Sequence, residues 1–180
     1  MMDREEQALV SLARAGDRRA FDKLVARYKD KMFALAYRMT GNREEALDIL
    51  QDTFFAAFKA IRGFREEASF SSWLYRIVSN KSINLIKRRG ILSFLPFGAS
   101  PKDEPAYEMD DAAGRSELSN KIQESINELP PKQKLVFNLR FYDQLSFVEI
   151  AEILGKGEST VKTNYQKAVE KLQKKLEDFR

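Results

Sequence analysis

The tightest constraint on the fold is one uninterrupted apolar stripe. Phe21, Leu24, Val25, Tyr28, Met32, Leu35, Ala36 and Met39 recur at three- and four-residue spacing between Asp17 and Thr40. That is the period of one helix face, not of a strand. Gly41 ends the segment, and glycine enters the left-handed conformation of a helix stop at low cost. Asn42 followed by Glu45 reads as a cap pair that opens another helix. This helix runs to about Arg62, with Gly63 as its stop. Ahead of the stripe, Leu9, Leu12 and Ala13 give a shorter helix ended by Gly16. After Gly63 comes a polar break, "FREEAS" (Phe64–Ser69), and then a helix from near Ser69 or Phe70 to Gly90. β-branched residues are sparse, and nothing alternates strictly over the length of a strand. Residues 1–90 are therefore expected to form a bundle of amphipathic helices.

Residues 91–117 change in texture. Three of the chain's five prolines, Pro96, Pro101 and Pro105, fall here with Gly98 and Gly114. Both residue types oppose helix and sheet ladder, and the segment is too long for a tight turn. It reads as an extended, flexible, acidic linker whose apolar start, "ILSFLPF", could dock on something. Charge follows the same division. Residues 1–90 carry 18 basic and 12 acidic side chains, residues 91–117 carry 2 and 6, and residues 118–180 carry 11 and 9. Two basic blocks suit a polyanion, and the connector between them would be repelled by one.

Residues 118–180 open with Leu118, Ile122 and Ile126 at four-residue spacing. Pro130–Pro131 favours a turn and a fresh helix start, and Leu135, Val136, Leu139 and Phe141 line the next helix. Ser146 and Glu149 form a capping box. Phe147, Ile150, Ala151 and Leu154 are the inner face of the helix it opens, Gly155 makes the turn, and Val161, Tyr165, Ala168 and Leu172 line the last helix. This is helix-turn-helix spacing. The exposed face of the last helix then carries Ser159, Thr160, Lys162, Thr163, Gln166 and Lys167. Lys and Gln read base edges, and hydroxyls hold phosphates.

Two further surfaces appear in the first block. Glu44, Asp48 and Asp52 recur every four residues, with Glu45 and Gln51 beside them and Leu47, Leu50, Phe54 and Phe55 behind. The ridge is either a solvated helix face or a docking surface for a basic partner. On the fourth helix Arg76, Asn80 and Asn84 form a row extended by Lys87 and Arg88, with Trp73 and Tyr75 at its head. Asparagine is a poor helix former, so two on one face suggest recruitment for hydrogen bonding. Asn reads bases, Arg and Lys hold phosphates, and aromatics stack on unpaired bases.

The chain of 180 residues has no histidine and no cysteine. That removes thiolate chemistry, imidazole acid–base chemistry and Cys- or His-ligated metal sites. No Walker-type phosphate loop is present. The start "MMDREEQALV" has no secretory pattern, and no apolar run is long enough to span a bilayer. Carboxylate or lysine chemistry stays open, but the inventory points toward a binding protein rather than an enzyme and fits a reducing cytosol.

The chain resembles a bacterial RNA polymerase sigma factor of the extracytoplasmic-function (ECF) group. The resemblance rests on residues 20–61, "FREEASFSSWLYRIVSNKSINLIKRR", "INELPPKQKLVFNLRFYDQLSFVEIAEILG" and "STVKTNYQKAVEKL", in the family's order. It implies an all-α fold of two small helical domains joined by the linker. Residues 1–90 would bind core polymerase and recognise and melt the −10 element, and residues 118–180 would recognise the −35 element. Asp48, Gln51 and Asp52 match the polymerase-binding positions. Phe64, Ser69, Trp73, Arg76, Asn80, Asn84, Lys87 and Arg88 would serve the −10 strand, with "FREEAS" as wall of a pocket for a flipped base. Arg140, Ser159, Thr160, Lys162, Thr163, Gln166 and Lys167 would serve the −35 duplex. The linker would run through the polymerase and be displaced by nucleic acid. Core polymerase, promoter DNA as duplex and single strand, and an anti-sigma factor are the implied partners, with no metal, cofactor or membrane insertion.

Two other readings compete. A stand-alone helix-turn-helix regulator would bind duplex operator DNA as a dimer. A helical enzyme could place a metal on Glu44, Asp48 and Asp52, although bundle metal sites draw ligands from several facing helices.

Overall fold

The structure, a computed structural model, describes residues 4–65, 68–92 and 117–177. All regular elements among them are helical: α1 (Arg4–Arg14), α2 (Arg18–Thr40), α3 (Arg43–Ala60), a 3₁₀ turn (Ile61–Gly63), α4 (Phe70–Leu92), α5 (Glu117–Asn127), α6 (Pro131–Phe141), α7 (Phe147–Leu154) and α8 (Glu158–Glu177).

Local chemistry sets these boundaries. The Asp17 carboxylate accepts from the Arg19 and Ala20 amides at 2.8 and 3.2 Å, starting α2. Gly41 stops it at φ 71°, with its N–H on the Tyr37 carbonyl. One residue later the Asn42 side chain accepts from the Glu45 amide at 3.0 Å and starts α3. This tight joint folds α3 back against α2, and α4 closes the bundle over both. α4 continues through Gly90 to Leu92 rather than ending at Gly90. The reason is Arg89, which donates to the Glu45 carboxylate at 2.8 Å and to the Thr40 carbonyl at 3.1 Å, so its last turns are tied to the α2–α3 joint. The expected linker begins inside this helix and ends at Glu117, the first residue of α5. Its remainder, including most of "ILSFLPF", lies outside the described residues.

The α2 stripe forms the first core as expected, with Leu24, Met32, Leu35 and Ala36 fully buried. On α1 the buried face is Glu6, Val10 and Ala13, while Leu12 is exposed. The swap has a specific cause: the Tyr28 hydroxyl donates to the Glu6 carboxylate at 2.7 Å, which lets a charged residue take the inner position. In the second domain the capping box of α7 is present in both directions, and Gly155 is left-handed at φ 60°. Ile150, Ala151, Val161, Ala168 and Leu172 are inside. Phe141, one of the apolar residues of α6, is exposed, and Ile122 is at the surface.

The two domains touch. α6 packs on α2, α7 packs on α4, and a single apolar cluster runs from Leu24 and Met39 to Leu135, Leu139, Ile150 and Val161. A smaller cluster of Ile126, Leu129, Phe137, Ala168 and Leu172 joins α5, α6 and α8. Because α6 lies between α2 and α8, every residue from Lys134 to Leu139 is buried, the lysine and Asn138 included.

Candidate nucleic-acid interfaces

α3 presents the acidic ridge. Asp48, Gln51 and Asp52 are exposed on it, as is Glu44, while Glu45 is drawn inward by Arg89. Asp52 faces Lys81 at 3.1 Å, with its carboxylate still mostly in solvent. The inner side of α3 is Ala46, Ile49, Thr53 and Ala57, small enough for close approach to α2. Leu47 and Phe55 therefore do not back the ridge. They stand beside it, 45% and 57% exposed, with the Lys59 ammonium 4.1 Å from the Phe55 ring centre. Carboxylates are thus interleaved with an uncovered leucine and phenylalanine on this face.

The head of α4 is an aromatic stack. Trp73 lies 4.8 Å from Phe64 at an interplanar angle of 27°, and both lean on Phe70. Phe64 and Phe70 are buried, whereas Trp73 is half-buried, so one face of the indole is held and the edge of the stack opens outward. Ala60, Gly63, Phe64, Arg65, Ala68, Trp73 and Arg76 line a cavity of about 260 Å³ beside it. Glu66 and Glu67 of the "FREEAS" break lie outside the described residues. Ser69 starts the helix: its hydroxyl accepts from the Ser72 amide at 3.0 Å and donates to the Ser72 hydroxyl at 2.8 Å. Asn80, Asn84, Lys87 and Arg88 continue from Arg76 along the exposed face. Tyr75, expected at the surface with Trp73, points inward and is buried. Its hydroxyl bonds to Asp143, and burial raises its pKa.

The third surface is the outer face of α8. Ser159, Thr160, Lys162, Thr163, Gln166 and Lys167 are all exposed there. Arg140 arrives from α6, donating to the Leu145 carbonyl at 3.2 Å. Its guanidinium stands 5.2 Å from the Phe147 ring centre, and the Lys162 ammonium 5.9 Å from the same ring. Phe147 thus sets the two cations side by side, although they are distant in sequence. Lys162 also pairs with Glu158 at 2.6 Å, and the Thr163 hydroxyl donates back to the Ser159 carbonyl at 2.9 Å.

Comparison with known proteins agrees with this division. Residues 24–91 match the model of Sigma-70 region 2, and residues 119–172 match that of Sigma-70, region 4. The ECF RNA polymerase sigma factor SigW of Bacillus subtilis is 38% identical over 94% of this chain and 96% of its own length. The ECF RNA polymerase sigma-E factor of Haemophilus influenzae is 32% identical over 96% of this chain and 95% of its own. The chain belongs to the ECF RNA polymerase sigma factors. A solved structure of CnrH in complex with the cytosolic domain of CnrY aligns at a TM-score of 0.71, with 26% identity over 97% of this chain and 98% of that one.

As a sigma factor the protein serves transcription initiation, and its alternative reading as a dimeric operator-binding regulator is not favoured. The sequence reasoning missed a set of residues that hold its two domains together: Arg38, Lys134, Asn138 and Asp143. Arg38 donates to Asp143 at 2.8 Å, and Lys134 donates to the Met39 carbonyl at 2.9 Å and to the Asn127 side chain at 3.0 Å. Burial pushes the Asp143 carboxyl up against the opposing pull of Arg38. The one available signal was polar residues inside an otherwise apolar run, Lys134 and Asn138 in "KLVFNL".

Proposed function

We propose that residues 1–90 and 118–180 divide promoter recognition between them, with residues 91–117 as the connector. Asp48, Gln51 and Asp52, flanked by Leu47 and Phe55, dock on core RNA polymerase. The open edge of the Phe64–Trp73 stack and its cavity receive an unstacked base of the −10 element, at about 1–3 kcal/mol of stacking energy per base. Arg76, Asn80, Asn84, Lys87 and Arg88 follow that strand. The α8 face and Arg140 read the −35 element as duplex. Melting draws on this binding energy, and the protein performs no catalysis of its own. It acts in the cytoplasm, in keeping with its polymerase partner; no described helix is long and apolar enough to cross a membrane. An anti-sigma factor controls it, a reading supported by the ECF resemblance and by the CnrH complex with a second chain.

The observation that carries this reading is the pairing of an aromatic-walled cavity beside an exposed Arg/Asn row with a separate helix-turn-helix surface. Transcription with purified core polymerase tests it. The protein should confer promoter-dependent initiation, and Asp48→Arg should lose core binding while its helical content is kept. Normal core binding by that variant overturns the docking assignment.

A further inference from the structure

We propose that Phe147 is the positioning residue of the −35-reading surface. Its ring gathers Arg140 of α6 and Lys162 of α8 into one paired cation that fits a backbone phosphate of the duplex. The inference deepens the reading of α8 as that surface and rests on it.

The two cations come from different helices. Arg140 stands near the end of α6, and Lys162 near the start of α8. Both side chains are long and exposed, so each alone would search many rotamers in solvent. The geometry instead brings both to one ring. The Arg140 guanidinium is 5.2 Å and the Lys162 ammonium 5.9 Å from the centre of Phe147. Both lie inside the range of about 6 Å over which the negative face of an aromatic ring attracts a cation. Two like charges gathered at one ring repel each other. An anion between them relieves that repulsion, and a phosphate has oxygens for both. The ring attracts charge and takes up no N–H. Arg140 gives one donor to the Leu145 carbonyl at 3.2 Å, and Lys162 gives one to Glu158 at 2.6 Å. A guanidinium has five donors and an ammonium three, so the ring contact costs neither cation its grip on phosphate.

Phe147 is itself fixed. It is the first residue of α7, and the Ser146 capping box sets the helix start on which it stands. Its ring meets Tyr165 of α8 edge-on with centres 5.5 Å apart, and Tyr165 stacks on Phe137 of α6 at 6.1 Å. All three helices of the DNA-reading unit therefore contribute to one aromatic joint. Phe147 is half-buried, so it is anchored by that joint and still reaches the two exposed cations. A leucine would fill much of the same space. Without a π face it would release both cations to their full rotamer range, and the cost of ordering them would fall on DNA binding.

Replacement of Phe147 by mono-, di- and trifluorophenylalanine tests the role. Fluorine withdraws electron density from the ring face and nearly keeps the ring's shape, so a role in packing alone does not respond to it. Each full-length chain is combined with core RNA polymerase, and its affinity is measured for promoter duplex and for the same duplex with a scrambled −35 element. Affinity for the intact promoter should fall stepwise with fluorine content, by about three- to tenfold over the series. Phe147→Leu should lose as much, and Phe147→Tyr, which keeps the ring, should restore binding. With Arg140→Ala and Lys162→Ala combined, the fluorine series should be flat. A flat series in the otherwise unsubstituted chain overturns the positioning role, whether or not Phe147→Leu folds. A stepwise fall that persists without the two cations overturns it as well. Equal affinity of the unsubstituted chain for the intact and scrambled promoters removes instead the reading of α8, and the positioning role with it.

Discussion

Titrating Lys134 measures what the seam between the domains costs and yields. The residue is 5% exposed, and burial, with Arg89 adding repulsion, lowers its pKa from 10.5 to about 8. At about 1.36 kcal/mol per unit, the charged form is disfavoured in the folded chain by about 3 kcal/mol. The sign follows from proton counting. Between pH 8 and 10.5 the unfolded chain still holds the proton and the folded chain has released it, so stability rises with pH across that window. Below pH 8 both states are protonated and the slope vanishes. From pH 8 to 9.5 the gain is about 2 kcal/mol. Tyr28 and Tyr75, both raised above the ordinary tyrosine value by burial, stay protonated throughout. Lys134→Met removes the titrating group. It leaves the Met39 carbonyl and Asn127 without a donor, but it also removes a buried charge, so its stability at pH 7 should lie near that of the parent. Urea unfolding followed by circular dichroism at pH 7, 8, 9 and 9.5 gives the comparison. The parent should gain about 2 kcal/mol on the variant over this range. Equal pH slopes in the two proteins would refute the burial argument.

Trp73→Ala should weaken engagement of the melted −10 strand by about 1–3 kcal/mol, while Trp73→Phe keeps most of it; permanganate footprinting reads the difference, and unchanged strand opening in the alanine variant would count against the stack. Gly155→Ala should cost about 1–2 kcal/mol, because φ is 60° there and an added Cβ meets nothing within 4 Å, so the penalty is backbone conformation alone. The same change at Gly90, inside α4 and equally uncrowded, should stabilise by about 0.5–1 kcal/mol, and thermal unfolding that moves both variants the same way contradicts this account. Lys162→Ala should reduce use of the −35 element, leave core binding intact and lower the salt-dependence slope of duplex binding by about 1; an unchanged slope argues against a phosphate contact.

What was legible in the sequence was local. The α2 stripe, the Asn42 and Ser146 caps and the left-handed glycines at 41 and 155 each depend on residues within a turn of one another. What escaped reading was decided by partners far along the chain. Glu6 is inside and Leu12 outside because Tyr28, 22 residues away, offers a hydroxyl. Phe141 reads as one of the apolar residues of α6, but α6 is covered by α2 on a side where an isolated domain would meet water. That cover buries Lys134 and Asn138 and leaves Phe141 out. At the candidate site, the α8 row could be read from periodicity, but the convergence of Arg140 and Lys162 over Phe147 needed the fold. The ridge residues were visible too, whereas the exposure of Leu47 and Phe55 was not, because Ala46 and Ala57 take the inner positions that larger apolar residues would otherwise claim.

Three of the cations assigned to DNA are already engaged within the chain. Arg76 sits on the α7 carbonyls, Lys162 on Glu158, and Arg140 on the Leu145 carbonyl. Each partner is weaker than a phosphate: a neutral carbonyl or an exposed carboxylate on the same helix. A phosphate can displace any of them, but the net gain is reduced by the contact given up. The free chain should therefore attract polyanions less than its 31 basic side chains suggest. This favours selective use of a promoter that offers several phosphates in place at once over scattered polyanion contacts.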